Sequence, residues 1–162
     1  MVNIAVLGCG RIGAMHAANV AAHPRTNLEM VFDVNEMAVT NVSNAHQVQA
    51  ARSAQEVFAS DRVQAVLVAT ATPTHADYIE MAIAAGKPVL CEKPIDLNLE
   101  RVNRCAAVVS KSTVPIQLGF NRRYDPGHAA AREACLAGKI GDLHQVIITA
   151  RDPALPPRAY LE

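Results

Sequence analysis

The sequence is defined first by what it lacks. It has no tryptophan, aromatic residues make up 4% of it, and its formal net charge is zero. A balanced charge gives no electrostatic footprint for nucleic acid or an acidic membrane surface. No apolar run reaches the ~18–20 residues of a membrane span. The amino terminus has no basic segment and cleavage site, so no leader is expected. The four cysteines, Cys9, Cys91, Cys105 and Cys135, form no C-x-x-C pair, and they are expected as reduced, mostly buried thiols in a cytoplasmic protein. The six histidines show no metal-ligand spacing, so no metal is expected. There are no internal repeats and no low-complexity tracts.

What remains is an Ala/Val-rich chain of 162 residues, enough for one full domain and part of another. Val2 to Leu7 reads as a buried strand. It runs into Gly8-Cys9-Gly10-Arg11-Ile12-Gly13 and then into a helix beginning near Ala14. Strand, glycine turn and helix form a dinucleotide-binding fingerprint. Gly8 permits the tight turn, Gly10 lets a pyrophosphate approach the backbone, and Gly13 allows close packing of the helix. The start of that helix offers unpaired N–H groups and a positive dipole end.

A second strand, Asn27 to Phe32, delivers Asp33, 20 residues after Gly13. A carboxylate there can accept hydrogen bonds from both adenosine ribose hydroxyls and would repel a 2′-phosphate. No Arg or Lys lies between Val34 and Thr40 to receive one, so NAD is expected rather than NADP. The alternative is an aspartate that caps the following helix.

Strands and helices alternate further on. Gln47 to Ala51 reads as a short strand, and Ser53-Ala54-Gln55-Glu56 as a capping box opening a short helix. Val63 to Ala69 reads as a central strand. Pro73 opens a helix to about Ala85, stopped by Gly86. Pro88 to Cys91 reads as a strand, Asn98 to Lys111 as an amphipathic helix and Val114 to Leu118 as a sixth strand. The expected fold is α/β: a doubly wound parallel sheet of Rossmann type over residues 1–120. Residues 121–162 read as the first helix, Pro126 to Ala137, and first strand, Leu143 to Ala150, of an incomplete α+β substrate and oligomerisation domain. A proline-rich loop begins at Arg151. A lone strand leaves both edges unpaired, so a fragment, or completion by another chain, is expected.

Two further segments sit at strand ends, where ligands bind in such sheets: Ala69-Thr70-Ala71-Thr72-Pro73-Thr74-His75 and Cys91-Glu92-Lys93-Pro94-Ile95. Together with the Gly8–Gly13 loop, Asp33 and Ala85-Gly86-Lys87, they resemble the Gfo/Idh/MocA family across nearly the whole chain. The run Gly119 to Pro126 and Ile147 to Pro153 looks most like its inositol 2-dehydrogenase branch. That resemblance implies a dehydrogenase that moves hydride from a cyclic polyol or sugar, myo-inositol at C2 foremost, to NAD.

The resemblance places Lys93 beside the substrate hydroxyl as the catalytic residue. Burial and a nearby nicotinamide ring would both favour its neutral amine. It implies cofactor contacts from Gly8, Gly10, Arg11, Ile12, Gly13, Asp33, Thr70, Thr72, Pro73, Glu92, Lys93 and Arg122, and a cis peptide before Pro94. Glu92 would bind ribose or orient Lys93. His75 is either a cofactor contact or a structural histidine, and Arg122 either a cofactor contact or a solvated arginine. Arg151 and Asp152 are lesser candidates for a polyol contact. A homo-oligomer is implied for the full-length protein, with a small-molecule substrate as its partner.

The family completes catalysis with an aspartate and a histidine in the second domain. No segment here matches them, and His128 and His144 lie in the wrong elements to substitute. A non-catalytic NAD-binding module of the same fold is therefore the alternative for the chain by itself. A methyltransferase is disfavoured, because Val6 and Leu7 stand where an acidic residue usually precedes such a glycine loop.

Overall fold

The structure, a computed structural model, describes residues 1–151. The backbone clusters into two compact units that divide between Phe120 and Asn121. The first is an α/β layer structure. Its strands are β1 (Val2–Leu7), β2 (Thr26–Phe32), β3 (Gln49–Ala50), β4 (Ala65–Val68), β5 (Val89–Cys91) and β6 (Ile116–Leu118). They form one all-parallel sheet in the order β3-β2-β1-β4-β5-β6. The connecting helices are α1 (Arg11–Ala22), α2 (Glu36–His46), α3 (Ala54–Ala59), α4 (His75–Ala84) and α5 (Leu99–Val109). This is the doubly wound order, and its direction reverses between β1 and β4. A crevice therefore opens at the carboxyl ends of those two strands.

Alternation along the strands feeds two cores, one on each face of the sheet. Ala5 and Leu7 pack with Ala54, Val57, Ala76 and Ile79 of the α3 and α4 layer. Val6 points the other way, to Ala17, Val20, Val39 and Val42 of α1 and α2. Along β2 the alternation breaks. Leu28 and Val31 share the α1 and α2 face, although an odd separation in a regular strand would place them on opposite faces. The register explains it: Ile4 pairs with Leu28 and Ala5 with Met30, so Glu29 is an inserted bulge residue. Its carboxylate takes Arg62 Nε at 3.1 Å and Asn27 Nδ2 at 3.1 Å.

Helix starts follow short polar side chains. Asn35, Ser53 and Asn98 accept from Ala38 N, Glu56 N, and Glu100 N with Arg101 N, respectively. Glu56 closes its capping box one residue early, accepting from Arg52 N at 2.8 Å. Arg101 forks between Asp77 and Glu80 at 2.6 Å each, tying α5 to α4. The bond to Glu80, then that to Asp77, raises the guanidinium's already high pKa further. At the other end of α4, Gly86 sits at φ 66°. The Lys87 amine donates to the carbonyls of Ser60 at 2.9 Å and Val63 at 2.6 Å, fastening the turn that leads into β4.

Several boundaries differ from expectation. Helix α1 begins at Arg11, directly after the loop, rather than near Ala14. β3 shrinks to two residues, and Val63 belongs to a turn, its N–H donating to Ser60 O at 3.2 Å. A 3₁₀ turn at Thr72–Thr74 precedes α4, with Pro73 within it. No helix among the described residues is long and apolar enough to cross a membrane.

The second unit holds a 3₁₀ turn at Asn121–Tyr124 and α6 (Pro126–Leu136), capped by Asp125. Asp125 Oδ1 accepts from His128 N at 3.0 Å and lies 2.8 Å from His128 Nδ1. That side-chain bond holds its carboxyl below the ordinary carboxylate range. Leu143 to Ala150 forms no strand. Its residues have β propensity, but a strand exists only with a partner, and none pairs with it among the described residues. Asp152 and most of the proline-rich loop lie outside the described residues.

Candidate functional site: a dinucleotide cleft at the switch point

Gly8, at the end of β1, adopts φ 97°, a conformation natural to glycine. A Cβ there would collide with the backbone of Ala69 and Thr70. A Cβ on Gly13 would collide with the Gly8 carbonyl. These two glycines thus serve the fold, by letting α1 start hard against the end of β1. Gly10 is different. It caps α1 in an extended conformation without a side-chain bond, and a Cβ on it would meet no protein atom within 4 Å. Protein packing does not require a glycine there. A phosphate drawn to the free N–H groups of α1 would.

Asp33 faces this helix start across a cleft of about 480 Å³. Its Oδ2 accepts from Cys9 N at 2.6 Å and its Oδ1 from Asn35 N at 2.8 Å. The carboxylate thus ties the glycine loop to the end of β2 and supports the residue that caps α2. Asp33 does not itself cap α2, since that cap is Asn35; it organises the local backbone, and a carboxylate holding two N–H groups has acceptor capacity left for further donors. Gly10, Arg11, Ile12, Asp33 and Thr70 line the cleft, as expected from the sequence.

Ala69, Ala71 and Thr74, from the strand-end segment singled out in the sequence, also line it, and the sequence reading missed Phe32, Val34, Asn35, Ala38 and Tyr78, which complete the lining. Tyr78 lies one helical turn after Thr74 and so shares its face; this spacing was the available signal. Its ring tilts against Phe58 at 6.2 Å between centroids. Burial, then the charge of Asp33, raises the phenol's pKa and keeps it a hydrogen-bond donor. Thr70 Oγ1 lies 2.7 Å from Thr74 Oγ1. Thr74 gives its proton to Ala71 O at 2.8 Å, so Thr70 is the donor of the pair. Cys9 is an inert neighbour: burial, then Asp33, pushes its thiol up to about 12.

Glu92, Lys93 and Pro94 lie at the end of β5, outside the lining of the cleft. The Lys93–Pro94 peptide is cis, as the resemblance implied. Lys93 is exposed. The burial expected for its amine is not supplied by the described residues, because the segment turns outward from the sheet. Glu92 Oε1 pairs with His16 Nε2 of α1 at 2.9 Å, and Oε2 accepts from Lys93 N at 3.3 Å. A Cβ on Gly119 would come within 3.0 Å of that carboxylate. His16 and Gly119 are partners that the sequence reading did not find.

The cofactor contact considered for His75 is corrected. The ring is 2% exposed, with Nδ1 2.7 Å from Pro94 O and Nε2 2.9 Å from Thr70 O, which leaves no edge for a ligand. Thr72 and Pro73 lie in the 3₁₀ turn before α4 and are not among the lining residues, although Ala71 and Thr74 on either side of them are. Arg122 is exposed in the turn that opens the second unit.

Taken together, an uncapped helix start over an open Gly10, a carboxylate opposite it and an apolar wall at Ala38 and Tyr78 fit a dinucleotide. Comparison with known proteins agrees. The model of an oxidoreductase family with an NAD-binding Rossmann fold, Gfo/Idh/MocA, matches residues 2–120. An inositol 2-dehydrogenase of Rhizobium meliloti is 41% identical over 161 residues, covering 99% of this chain and 48% of that protein. A myo-inositol 2-dehydrogenase of Thermotoga maritima is 38% identical over 159 residues, covering 98% and 48%. A crystal structure of scyllo-inositol dehydrogenase from Lactobacillus casei, with bound NAD(H) and scyllo-inositol, superposes with a TM-score of 0.83 at 29% identity, covering 88% of this chain and 43% of that one. The chain spans about half the length of the curated relatives it matches. Fold, cleft and kinship agree that this chain belongs to the Gfo/Idh/MocA oxidoreductases, a family with an NAD-binding Rossmann fold.

Proposed function

We propose that the chain is the dinucleotide-binding part of an NAD-dependent dehydrogenase that oxidises a secondary hydroxyl of a cyclic polyol, with myo-inositol at C2 the leading substrate. The observation that carries this is the Asp33 carboxylate, held by two backbone N–H groups opposite the open start of α1. NAD would supply the hydride acceptor when bound. Gly10 and the first N–H groups of α1 would hold its diphosphate, Asp33 its adenosine ribose, and Ala38 and Tyr78 the adenine side of the cleft. Thr70 and the Thr72–Pro73 turn would border the nicotinamide half.

Lys93 would take the hydroxyl proton on its Nζ, with Glu92 fixing its backbone. Residues from 121 onward would begin the part that holds the polyol, Arg122 among them, and the whole protein would form a homo-oligomer. The names of the relatives support the polyol class.

The test is calorimetric titration of the chain with NAD and NADP. NADH production from myo-inositol and scyllo-inositol is then measured with the chain, and with a chimera joining it to the second half of the Rhizobium meliloti relative. The proposal expects NAD to bind in preference to NADP, and the chimera to reduce NAD with an inositol. Binding without turnover by the chimera would leave an NAD-binding module. No NAD binding would overturn the reading.

A further inference from the structure

We propose that His75 is a positioning residue for Lys93 and that it acts through the carbonyl of Pro94. This rests on the reading of Lys93 as the group beside the substrate hydroxyl. The ladder between β4 and β5 ends at the bond from Glu92 N to Val68 O, 2.9 Å. Beyond it the chain leaves the sheet, and Lys93 and Pro94 are exposed. Something must fix where the amine goes, because an exposed segment without ladder bonds is free to shift.

His75 is the one polar residue in the buried set of described residues, at 2% exposure. A buried imidazole is costly unless its nitrogens find partners. Here the partners are two carbonyls on different strand ends. Nδ1 lies 2.7 Å from Pro94 O and Nε2 2.9 Å from Thr70 O. Thr70 is part of the cleft wall, and Pro94 directly follows Lys93. One rigid ring, packed against Thr70 O and within hydrogen-bond distance of Pro94 O, therefore lies between the wall of the dinucleotide cleft and the segment that carries the amine. A neutral ring carries one N–H, and the shorter contact assigns it to Pro94 O; Nε2 then only packs against Thr70 O.

Two variants separate the two contacts. In His75→Asn the amide nitrogen replaces Nδ1, keeps the donor to Pro94 and abandons Thr70. In His75→Gln it replaces Nε2 and does the reverse. Nitrogen-15 relaxation and amide shifts are recorded on the 162-residue chain without cofactor. The Ile95 and Ala71 amides share peptide planes with the Pro94 and Thr70 carbonyls; Ile95 reports whether Pro94 O is still bonded, and Ala71 whether Thr70 O gains a donor in His75→Gln. His75→Gln is expected to move the Ile95 amide upfield and to lower the Lys93 order parameter from about 0.85 to below about 0.6. His75→Asn, which keeps the donor to Pro94, is expected to leave the Ile95 amide in place and Lys93 ordered.

Equal disorder at Lys93 in both variants, or an unmoved Ile95 amide in His75→Gln, would overturn the proposal. If His75→Gln does not fold, a displaced Ile95 amide in His75→Asn overturns it, and an undisturbed Ile95 with an ordered Lys93 upholds it. Because no cofactor is present, failure of the unmodified chain to bind NAD would count against the proposed function and leave this result standing.

Discussion

Asp33→Asn is the most instructive substitution, because the new side chain has the same shape and half the acceptors. In the native protein one carboxylate oxygen serves Cys9 N and the other Asn35 N. An asparagine can satisfy one of them with its oxygen, and its NH₂ then faces the second N–H, donor against donor. An unsatisfied backbone donor costs about 1–3 kcal/mol. At roughly 4 °C per kcal/mol for a unit of this size, the melting temperature falls by about 4–12 °C.

The same substitution removes the charge that opposes a 2′-phosphate. At ~5 Å and an effective dielectric constant between ~20 and ~80, that repulsion is about 1–3 kcal/mol per unit charge. The unmodified chain should therefore bind NADP at least about tenfold more weakly than NAD. Asp33→Asn should narrow that gap by a similar factor while NAD itself loses about 1.5–3 kcal/mol of charge-assisted bonding. Scanning calorimetry and paired titrations with NAD and NADP measure all three quantities. Equal affinity of the unmodified chain for the two dinucleotides would refute the electrostatic reasoning. An unchanged melting temperature in Asp33→Asn would refute the account of the two N–H groups.

Gly10→Ala and Gly13→Ala should behave oppositely. The first adds a methyl into open space, so thermal stability is kept while NAD affinity drops by at least about tenfold; the second drives Cβ into the Gly8 carbonyl, and circular dichroism should show loss of cooperative folding. In the chimera, Lys93→Ala should leave NAD binding intact and lower the maximal rate by roughly a hundredfold or more; steady-state kinetics at saturating polyol would show an unchanged rate if the amine takes no part. A chromogenic disulfide reagent should react rapidly with Cys135 alone in the native chain and with all four cysteines in guanidinium, because Cys9, Cys91 and Cys105 are buried and burial pushes the Cys9 and Cys91 thiols up to about 12; rapid native reaction of a second thiol would contradict the packing.

Much of this was legible because it is local. Gly8 to Gly13, Asp33 and the apolar strand runs each carry their signal within a few residues, and Ser53 and Asn98 mark helix starts on their own; Asn35, the cap of α2, was passed over in favour of Asp33. The bulge was not legible. Leu28-Glu29-Met30-Val31-Phe32 reads as an unbroken strand, and only the pairing with β1 shows Glu29 to be extra. Nor could local pattern join His16 to Glu92, which lie 76 residues apart, or reveal that both edges of the His75 ring are taken. The stretch Leu143 to Ala150 failed for the complementary reason. Its β-branched residues state a preference, and a sheet is an agreement between two segments.

Lys87 and Lys93 stand six positions apart at opposite ends of β5, and a screen scored by lost turnover would flag both. The Lys87 ammonium works at the rim remote from Lys93, the proposed proton acceptor, where it grips two carbonyls of the connection into β4. Its removal would weaken the scaffold and reach the reaction only through unfolding. Damage at Lys87 should thus follow temperature, whereas damage at Lys93 should persist in the cold.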